Sequence, residues 1–502
     1  MKFWRFLQRL RRFPTHLLAL LDRVSPVPIP RPEGGYEGLV LSLLARQVLR
    51  LNDLLGGLGG FAGLVVRRFG AAQPNPLTLE EVDLSEMSPG LRPVPKPRED
   101  RELRIALALG SLAAGGAERQ VSIAAPGLAQ RPGTKVSLLT MNPLKGDYAF
   151  YLGDVKGRGV QLCSVRAPTR RFRQLVPREL RGTPLGFDIA AFIQEFDKVS
   201  PEVVHAWLDD PNIAAGFAAC LAGIPRVVLS GRNVNPTHFG FFKPYMKSAY
   251  QWLLAQPSVT LINNSHAGAR DYAEWLEIEV NQIPVVHNGF DWASISSKHQ
   301  RDESQPPNSA RSTVIAGVMR LAPEKRPLHW LEIASRVIRD HDRFSFVLVG
   351  EGPLRSTCEK FIDEHGLGDH IQLLGARKDV YQILEQSDLF MLTSVVEGLP
   401  NVLVEAQFLG VPVATTPAGG ATETFIDGVS GITLDMFNAQ SAARQILAVL
   451  EDERWMRTAG SAGREWVVEH FSAECMVAKT LEIYDLLPPS AENVGARSHN
   501  DS

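Results

Sequence analysis

Cysteine is scarce in this sequence, and nothing in its placement uses it. Four occur in 502 residues, Cys163, Cys220, Cys358 and Cys475, with no C-x-x-C pair among them. That scatter argues against a zinc site and a disulfide framework, and it suits a reducing, cytoplasmic setting. A long uncharged apolar run, of the roughly 18 residues a membrane-spanning helix needs, is also missing. So is a net charge of one sign: the formal value is −2, which leaves no reason to expect a nucleic-acid partner. The opening MKFWRFLQRLRRF spreads its charges through the segment, unlike a secretory leader with its clean apolar centre.

With 44% hydrophobic and 22% charged residues the chain reads as globular, and its length points to two or three domains. The near-neutral average hides an asymmetry. Residues 1–70 carry eleven Lys/Arg against four Asp/Glu, about +7, leaving about −9 for the rest. Phe3, Trp4, Phe6, Leu7, Leu10 and Phe13 interleave with Arg5, Arg9, Arg11 and Arg12, a pattern that fits either an interfacial helix on an anionic membrane surface or a helix packed on the body. Residues 71–100 read as a linker, with prolines at 74, 76, 89, 93, 95 and 97 and little periodicity.

From residue 101 short β-rich apolar runs alternate with helical patterns, as in parallel α/β sheets. Strands are expected at 104–109, 135–141, 203–207, 226–230 and 259–263, with helices at 117–129 and 211–222. A polar stretch, 292–313, then separates a first domain, 101–291, from a second, 314–470. In the second, strands are expected at 314–319, 344–350, 371–375, 388–393 and 411–416, with helices at 327–339, 353–366 and 400–409. Charged helices follow at 439–451, 453–470 and 472–486; a C-terminal helix, 471–487, is expected to cross back to the first domain, and 488–502 reads as a disordered tail. The predicted architecture is two doubly wound, Rossmann-like α/β domains in series, behind an N-terminal helical extension.

In open parallel sheets ligands sit beyond the carboxyl ends of the strands, so the residues there are the candidates. After the first strand comes 110-GSLAAGGAERQ-120, where Gly115 and Gly116 allow close backbone approach and a helix start offers free N–H groups. The stretch reads equally as a plain tight turn. After the first strand of the second domain comes 319-MRLAPEKRP-327, in which Arg320 and Lys325 could hold a diphosphate. After strand 388–393, Glu397 and Glu405 stand eight residues apart around Gly398, Leu399, Pro400 and Asn401. Pro400 suits a first helical turn and Gly410 the residue past its end, so both carboxylates border one helix N-terminus. The pair Asp209-Asp210 reads as loop.

Taken together, these stretches resemble the family 4 glycosyltransferases, retaining enzymes of the two-Rossmann GT-B fold. The resemblance rests on the E-x7-E pair Glu397 and Glu405, on 320-RLAPEK-325, 349-VGEGPL-354, 410-GVPVATTPAGGATE-423, 115-GGAER-119 and 287-HNGFD-291. It implies transfer of a hexosyl unit from a UDP- or GDP-sugar to a hydroxyl of a glycan or lipid-linked acceptor, in cell-surface polysaccharide or glycolipid synthesis, with no metal or other cofactor. The first domain would be the acceptor side and the second the donor side. Arg320 and Lys325 would bind and stabilise the departing diphosphate, Glu405 the ribose hydroxyls, and Glu397 with the amides of Gly398 to Asn401 the transferred sugar. The backbone around Gly375 and Arg377 would hold the base, and Gly115 and Gly116 would close over the phosphates. Two departures stand out: relatives with H-x-H after the fourth strand have a second His near the donor sugar, where Trp207 stands here in 205-HAW-207, and the usual Gly before the phosphate Arg is Met319. His205 is either a substitute for that group or a satisfied core histidine. Rival readings are a sugar-nucleotide epimerase of the same fold and a non-catalytic scaffold. The basic amphipathic start, residues 1–70, suggests a membrane-proximal acceptor with a cytoplasmic enzyme docked on the anionic inner face of the membrane.

Overall fold

The computed structural model describes residues 102–296, 312–341 and 343–486. The basic extension 1–70, the linker 71–100, the tail 488–502 and most of the 292–313 connection lie outside the described residues. Within them are two six-stranded parallel sheets.

The first sheet contains β1 (Leu103–Leu109), β2 (Thr134–Thr140), β3 (Val160–Ser164), β4 (Val203–Trp207), β5 (Arg226–Gly231) and β6 (Val259–Asn263), in spatial order β3-β2-β1-β4-β5-β6. The second contains β7 (Thr313–Val318), β8 (Phe344–Val349), β9 (Ile371–Gly375), β10 (Leu389–Leu392), β11 (Val413–Thr415) and β12 (Gly431–Thr433), in order β12-β11-β10-β7-β8-β9. Counted within its own half, the second order is the same as the first. Central strands are covered on both faces, which is why their sequences are continuous apolar runs rather than alternating ones. β4, VVHAW, and β10, LFML, are buried at every position. Filling such a site with a leucine or phenylalanine such as Phe390 contributes about 1.5–3 kcal/mol.

The first lobe carries elements the sequence pattern does not announce: strand β3 and the helices Pro184–Val199, Met246–Leu254 and His266–Leu276. Asp209 and Asp210 occupy the first turn of the helix Asp209–Leu221 rather than a loop. The helix Ala473–Leu486 packs on the first lobe. Val477 lies against Gly127, Met476 against Gly289, and the Tyr484 hydroxyl is 2.8 Å from His205 Nδ1. The chain passes between lobes beside Phe290, which exchanges backbone hydrogen bonds of 2.9 Å with Phe471 and Ala473.

In each sheet the connections reverse direction at the central pair, β1/β4 in the first and β7/β10 in the second. A crevice opens at that point because neighbouring connections leave on opposite faces. The two crevices together line a cavity of about 470 Å³.

Candidate active site

The second lobe builds its wall from the turns after β7 and β10. After Val318 the chain runs through Arg320 into a turn at Pro323–Lys325, and Arg326 takes a left-handed φ of 51° before the helix Pro327–Asp340 begins. This turn carries Lys325 toward the other loop, where its Nζ donates to Glu397 Oε1 at 2.5 Å. Ser394 Oγ donates to the same oxygen at 2.7 Å. Glu397 is only 7% exposed, so the ammonium and hydroxyl stabilise a carboxylate that would be costly to bury alone. Arg320 is exposed and pairs through one guanidinium nitrogen with Glu324.

Beyond Glu397 the loop enters the helix Asn401–Phe408, with Pro400 as its cap residue and Gly410 at a φ of 75° past its end. Gly398 passes so close to the first lobe that a Cβ there would collide with the Arg232 carbonyl and lie 2.8 Å from Asn233 Cα. From that lobe Asn288 Nδ2 donates to Leu399 O at 3.1 Å and to Asn401 Oδ1 at 2.7 Å. The start of the helix is therefore clamped by the opposite lobe.

Glu405, one turn further on, is buried and faces the same lobe boundary. Its carboxylate forms an ion pair with Arg119, from the helix Gly116–Ala129, and accepts from the Tyr381 hydroxyl at 2.9 Å. Arg119 also donates to Tyr381 at 2.5 Å. The adjacent Gly116 lines the cavity, with room for a Cβ 3.4 Å from Asn401 Nδ2, whereas Gly115 is the extended residue preceding the helix.

The cavity thus gathers Gly116, Arg320, Lys325, Glu397 and Gly398 through Asn401. Glu405 meets Arg119 behind that wall. Gly375 sits at the end of β9 with a φ of 68°, and Arg377 is exposed and forked onto Asp379 at 2.5 and 2.7 Å; neither lines the cavity. Nor does His205, which is buried in β4, stacked on Trp207 at 5.0 Å and bonded to Tyr484. Burial, aided by the nearby Arg232 charge, pushes its pKa down to about 3, so the ring is neutral.

The first lobe contributes residues to which the sequence assigns no role: Arg119, Arg232, Asn264 and Asn288, the last inside 287-HNGFD-291. Arg119 stood inside the 115-GGAER-119 match, and Arg232 directly follows β5, the position that the strand-end rule marks. Leu208, after β4, adopts φ 73° and ψ 160° at the cavity edge, a region of backbone space that side chains avoid. Asp209 and Asp210 diverge. Asp209 is buried and accepts from Tyr250 at 2.8 Å and Tyr272 at 2.6 Å; burial raises its pKa against those hydrogen bonds. Asp210 pairs with Lys243 at 2.6 Å.

Among the described residues one set of potential metal ligands clusters, His266, His287 and Glu423, with ligand atoms within 4.8 Å of one another. It lies outside the cavity lining. Glu423 accepts from the backbone N–H of His266 at 2.8 Å and of Ala267 at 2.7 Å, joining 419-GGATE-423 to the first lobe's helix His266–Leu276. A helix start is a favourable seat for a carboxylate.

Comparison with known proteins gives the same two-part division. The profile described as Glycosyltransferase Family 4 matches residues 114–293, and that described as Glycosyl transferases group 1 matches 299–466. The Vi polysaccharide biosynthesis protein VipC/TviE of Salmonella typhi is 32% identical over 407 residues, 74% of this chain and 70% of that protein. The UDP-Gal:alpha-D-GlcNAc-diphosphoundecaprenol alpha-1,3-galactosyltransferase of Escherichia coli is 27% identical over 322 residues, 62% of this chain and 82% of that protein. In fold, the Anabaena HepE crystal structure in complex with UDP superposes with a TM-score of 0.60 at 21% identity, covering 76% of this chain and all of HepE. No described helix is long and apolar enough to cross a membrane.

Proposed function

Since the chain belongs to glycosyltransferase family 4 and is a glycosyltransferase of the GT-B fold, we propose that it moves a hexosyl unit from a UDP-sugar to a hydroxyl of a lipid-linked or polysaccharide acceptor, with retention at the anomeric carbon. The observation that carries this reading is the Lys325–Glu397 pair, set in the cavity wall beside the start of the helix Asn401–Phe408. The nucleotide and acceptor named for the Escherichia coli relative support the choice of UDP and of a lipid-linked glycan.

In the proposed reaction the bond from the anomeric carbon to the β-phosphate oxygen breaks, and the acceptor oxygen bonds to that carbon on the same face. The acceptor proton passes to the departing phosphate. Lys325 and Arg320 offset the charge that builds on the diphosphate, so no metal is called for; one preorganised donor of this kind typically contributes about 3–4 kcal/mol. Glu397, fixed by Lys325 and Ser394, and the N–H groups of Gly398 to Asn401 orient the sugar. Glu405 takes the ribose hydroxyls after exchanging part of its bonding with Arg119 and Tyr381, while Gly115 and Gly116 approach the phosphates. The backbone near Gly375 and Arg377 holds the base. Docking on an anionic membrane through residues 1–70 belongs to the same reading, and co-sedimentation of the full chain with anionic vesicles tests it.

A thermal-shift screen of nucleotide sugars tests the donor. Its ligand, at about 100 times its dissociation constant, stabilises by about 2.7 kcal/mol. Conversion of that donor to another nucleotide sugar without an acceptor would identify an epimerase instead.

A further inference from the structure

Arg232 is the cation in the cavity wall that the proposed chemistry leaves unused. Lys325, Arg320 and Arg119 each face a carboxylate. Arg232 is 8% exposed and forms no ion pair among the described residues. Its guanidinium lies over Trp207, 4.3 Å from the ring centroid, and donates to Ser230 Oγ at 3.3 Å and to Asn288 Oδ1. Nε has no partner. Burial lowers its pKa to about 9, which still leaves it charged at neutral pH. A buried cation facing only neutral groups is costly, and the fork of a guanidinium fits a planar oxyanion.

A second unsatisfied atom lies in the same wall. Asn264 is 2% exposed and lines the cavity. Its Nδ2 donates to the Arg232 carbonyl at 3.1 Å, which fixes the amide's orientation, and its Oδ1 has no partner. Buried polar atoms are nearly always satisfied, so an orphan donor and an orphan acceptor in residues of one cavity wall point to a place where a polar ligand binds. The donor asks for an anionic oxygen and the acceptor asks for a hydroxyl. A diphosphate ionised at neutral pH offers acceptors; a sugar acid offers both. The site also lies against the Gly398 to Asn401 loop, through the Arg232 carbonyl at Gly398 and through Asn288.

We propose that Arg232 and Asn264 form a subsite for an acidic sugar, Arg232 taking its carboxylate and Asn264 Oδ1 a neighbouring hydroxyl. The inference rests on the transferase reading above and names the class of one of its two sugars. Two sources supply that chemistry, the transferred sugar of the donor and the terminal sugar of the acceptor. Calorimetric titration of the full-length protein with UDP, UDP-glucose and UDP-glucuronate addresses the first. Titration with methyl glucuronide against methyl glucoside, without nucleotide, addresses the second. In one arm the acid is expected to bind at least tenfold more tightly than its neutral partner, and Arg232→Met to erase that preference. Arg232→Lys, which keeps the charge and loses the fork, should retain part of it. Equal binding of acid and neutral sugar to the wild type in both arms overturns the proposal without recourse to a variant. So does a preference that survives Arg232→Met, or a tenfold loss of affinity for UDP itself in that variant, which would assign Arg232 to the diphosphate. Failure of UDP to bind the wild type would strike the donor reading alone, and the glucuronide arm would still decide on Arg232.

Discussion

The two switch points share a strand order and differ in how their charges are held. At β7/β10 the buried ionised group sits with its counter-charge, Lys325 with Glu397, and Arg320 beside it pairs with Glu324. At β1/β4 the buried groups face neutral partners: Asp209 two tyrosine hydroxyls, His205 a tyrosine, Arg232 an indole and an asparagine. Topology decides where a ligand can sit. The side chains decide whether the charges at the site are neutralised within the protein or left to a ligand.

Removing the counter-charge in the second lobe is the strongest way to break that contrast. Lys325→Ala leaves Glu397 buried with Ser394 as its remaining polar partner, and it deletes the proposed phosphate contact. Turnover is expected to fall about 10²–10³-fold, with a drop in melting temperature from the stranded carboxylate. Adding Glu397→Gln should restore the melting temperature and leave turnover low. Near-normal initial rates in Lys325→Ala would remove the second lobe from the chemistry.

Next comes the surface where the two halves meet. Gly398→Ala forces a methyl against the Arg232 carbonyl, and overpacking of this kind typically costs about 1–3 kcal/mol. Since Gly398 has no left-handed φ, the cost is contact and not backbone strain. Thermal melts and donor affinity should fall together. Wild-type affinity in the variant would mean that the lobes part freely at this loop.

The first lobe's buried neutrality predicts a pH dependence. With its folded pKa near 3, His205 stays uncharged while the unfolded chain takes up a proton below about 6.5. The unfolded state then binds more protons, so stability is complete above that pH and is lost as pH falls, by about 2 kcal/mol at pH 5. Asp188 acts the opposite way: burial and the Asp210 charge raise its pKa to about 6, so acid favours its folded form. The comparison is therefore wild type against His205→Asn at each pH. The melting-temperature gap between them should narrow from pH 7 to pH 5, and a constant gap would show that His205 can charge in place.

The same contrast governs what could be read from residues alone. The second lobe's site was legible because its polar groups are dense and close to strand ends: Arg320, Lys325 and Glu397 fall within two short loops. In the first lobe the site is made of single residues on separate turns, and Arg232 acquires meaning only when its neighbours prove neutral. Strand β3 escaped notice because VQLCS lies at a half-exposed sheet edge, with Gln161 and Ser164 breaking the apolar run. The helix Pro184–Val199 did leave a local sign, Thr183 capping Gly186 N–H at 3.0 Å ahead of Pro184. The pairing of Arg119 with Glu405, 286 positions apart, had none.

The smallest effect tests whether the first lobe also holds its cavity edge under strain. Leu208 sits in a conformation that glycine adopts freely and that costs other residues about 1–3 kcal/mol. Replacing it with glycine relieves that cost but gives up a half-buried side chain and adds about 0.5–1 kcal/mol of chain entropy relative to alanine. The net change in Leu208→Gly is therefore expected to fall below about 1 kcal/mol. Its sign relative to Leu208→Ala carries the information, since both variants lose the same packing. At an ordinary position alanine is the more stable of the two. Here glycine should melt higher, because it alone escapes the strain. If alanine melts higher, the backbone at Leu208 is relaxed, and the two switch points differ in charge alone.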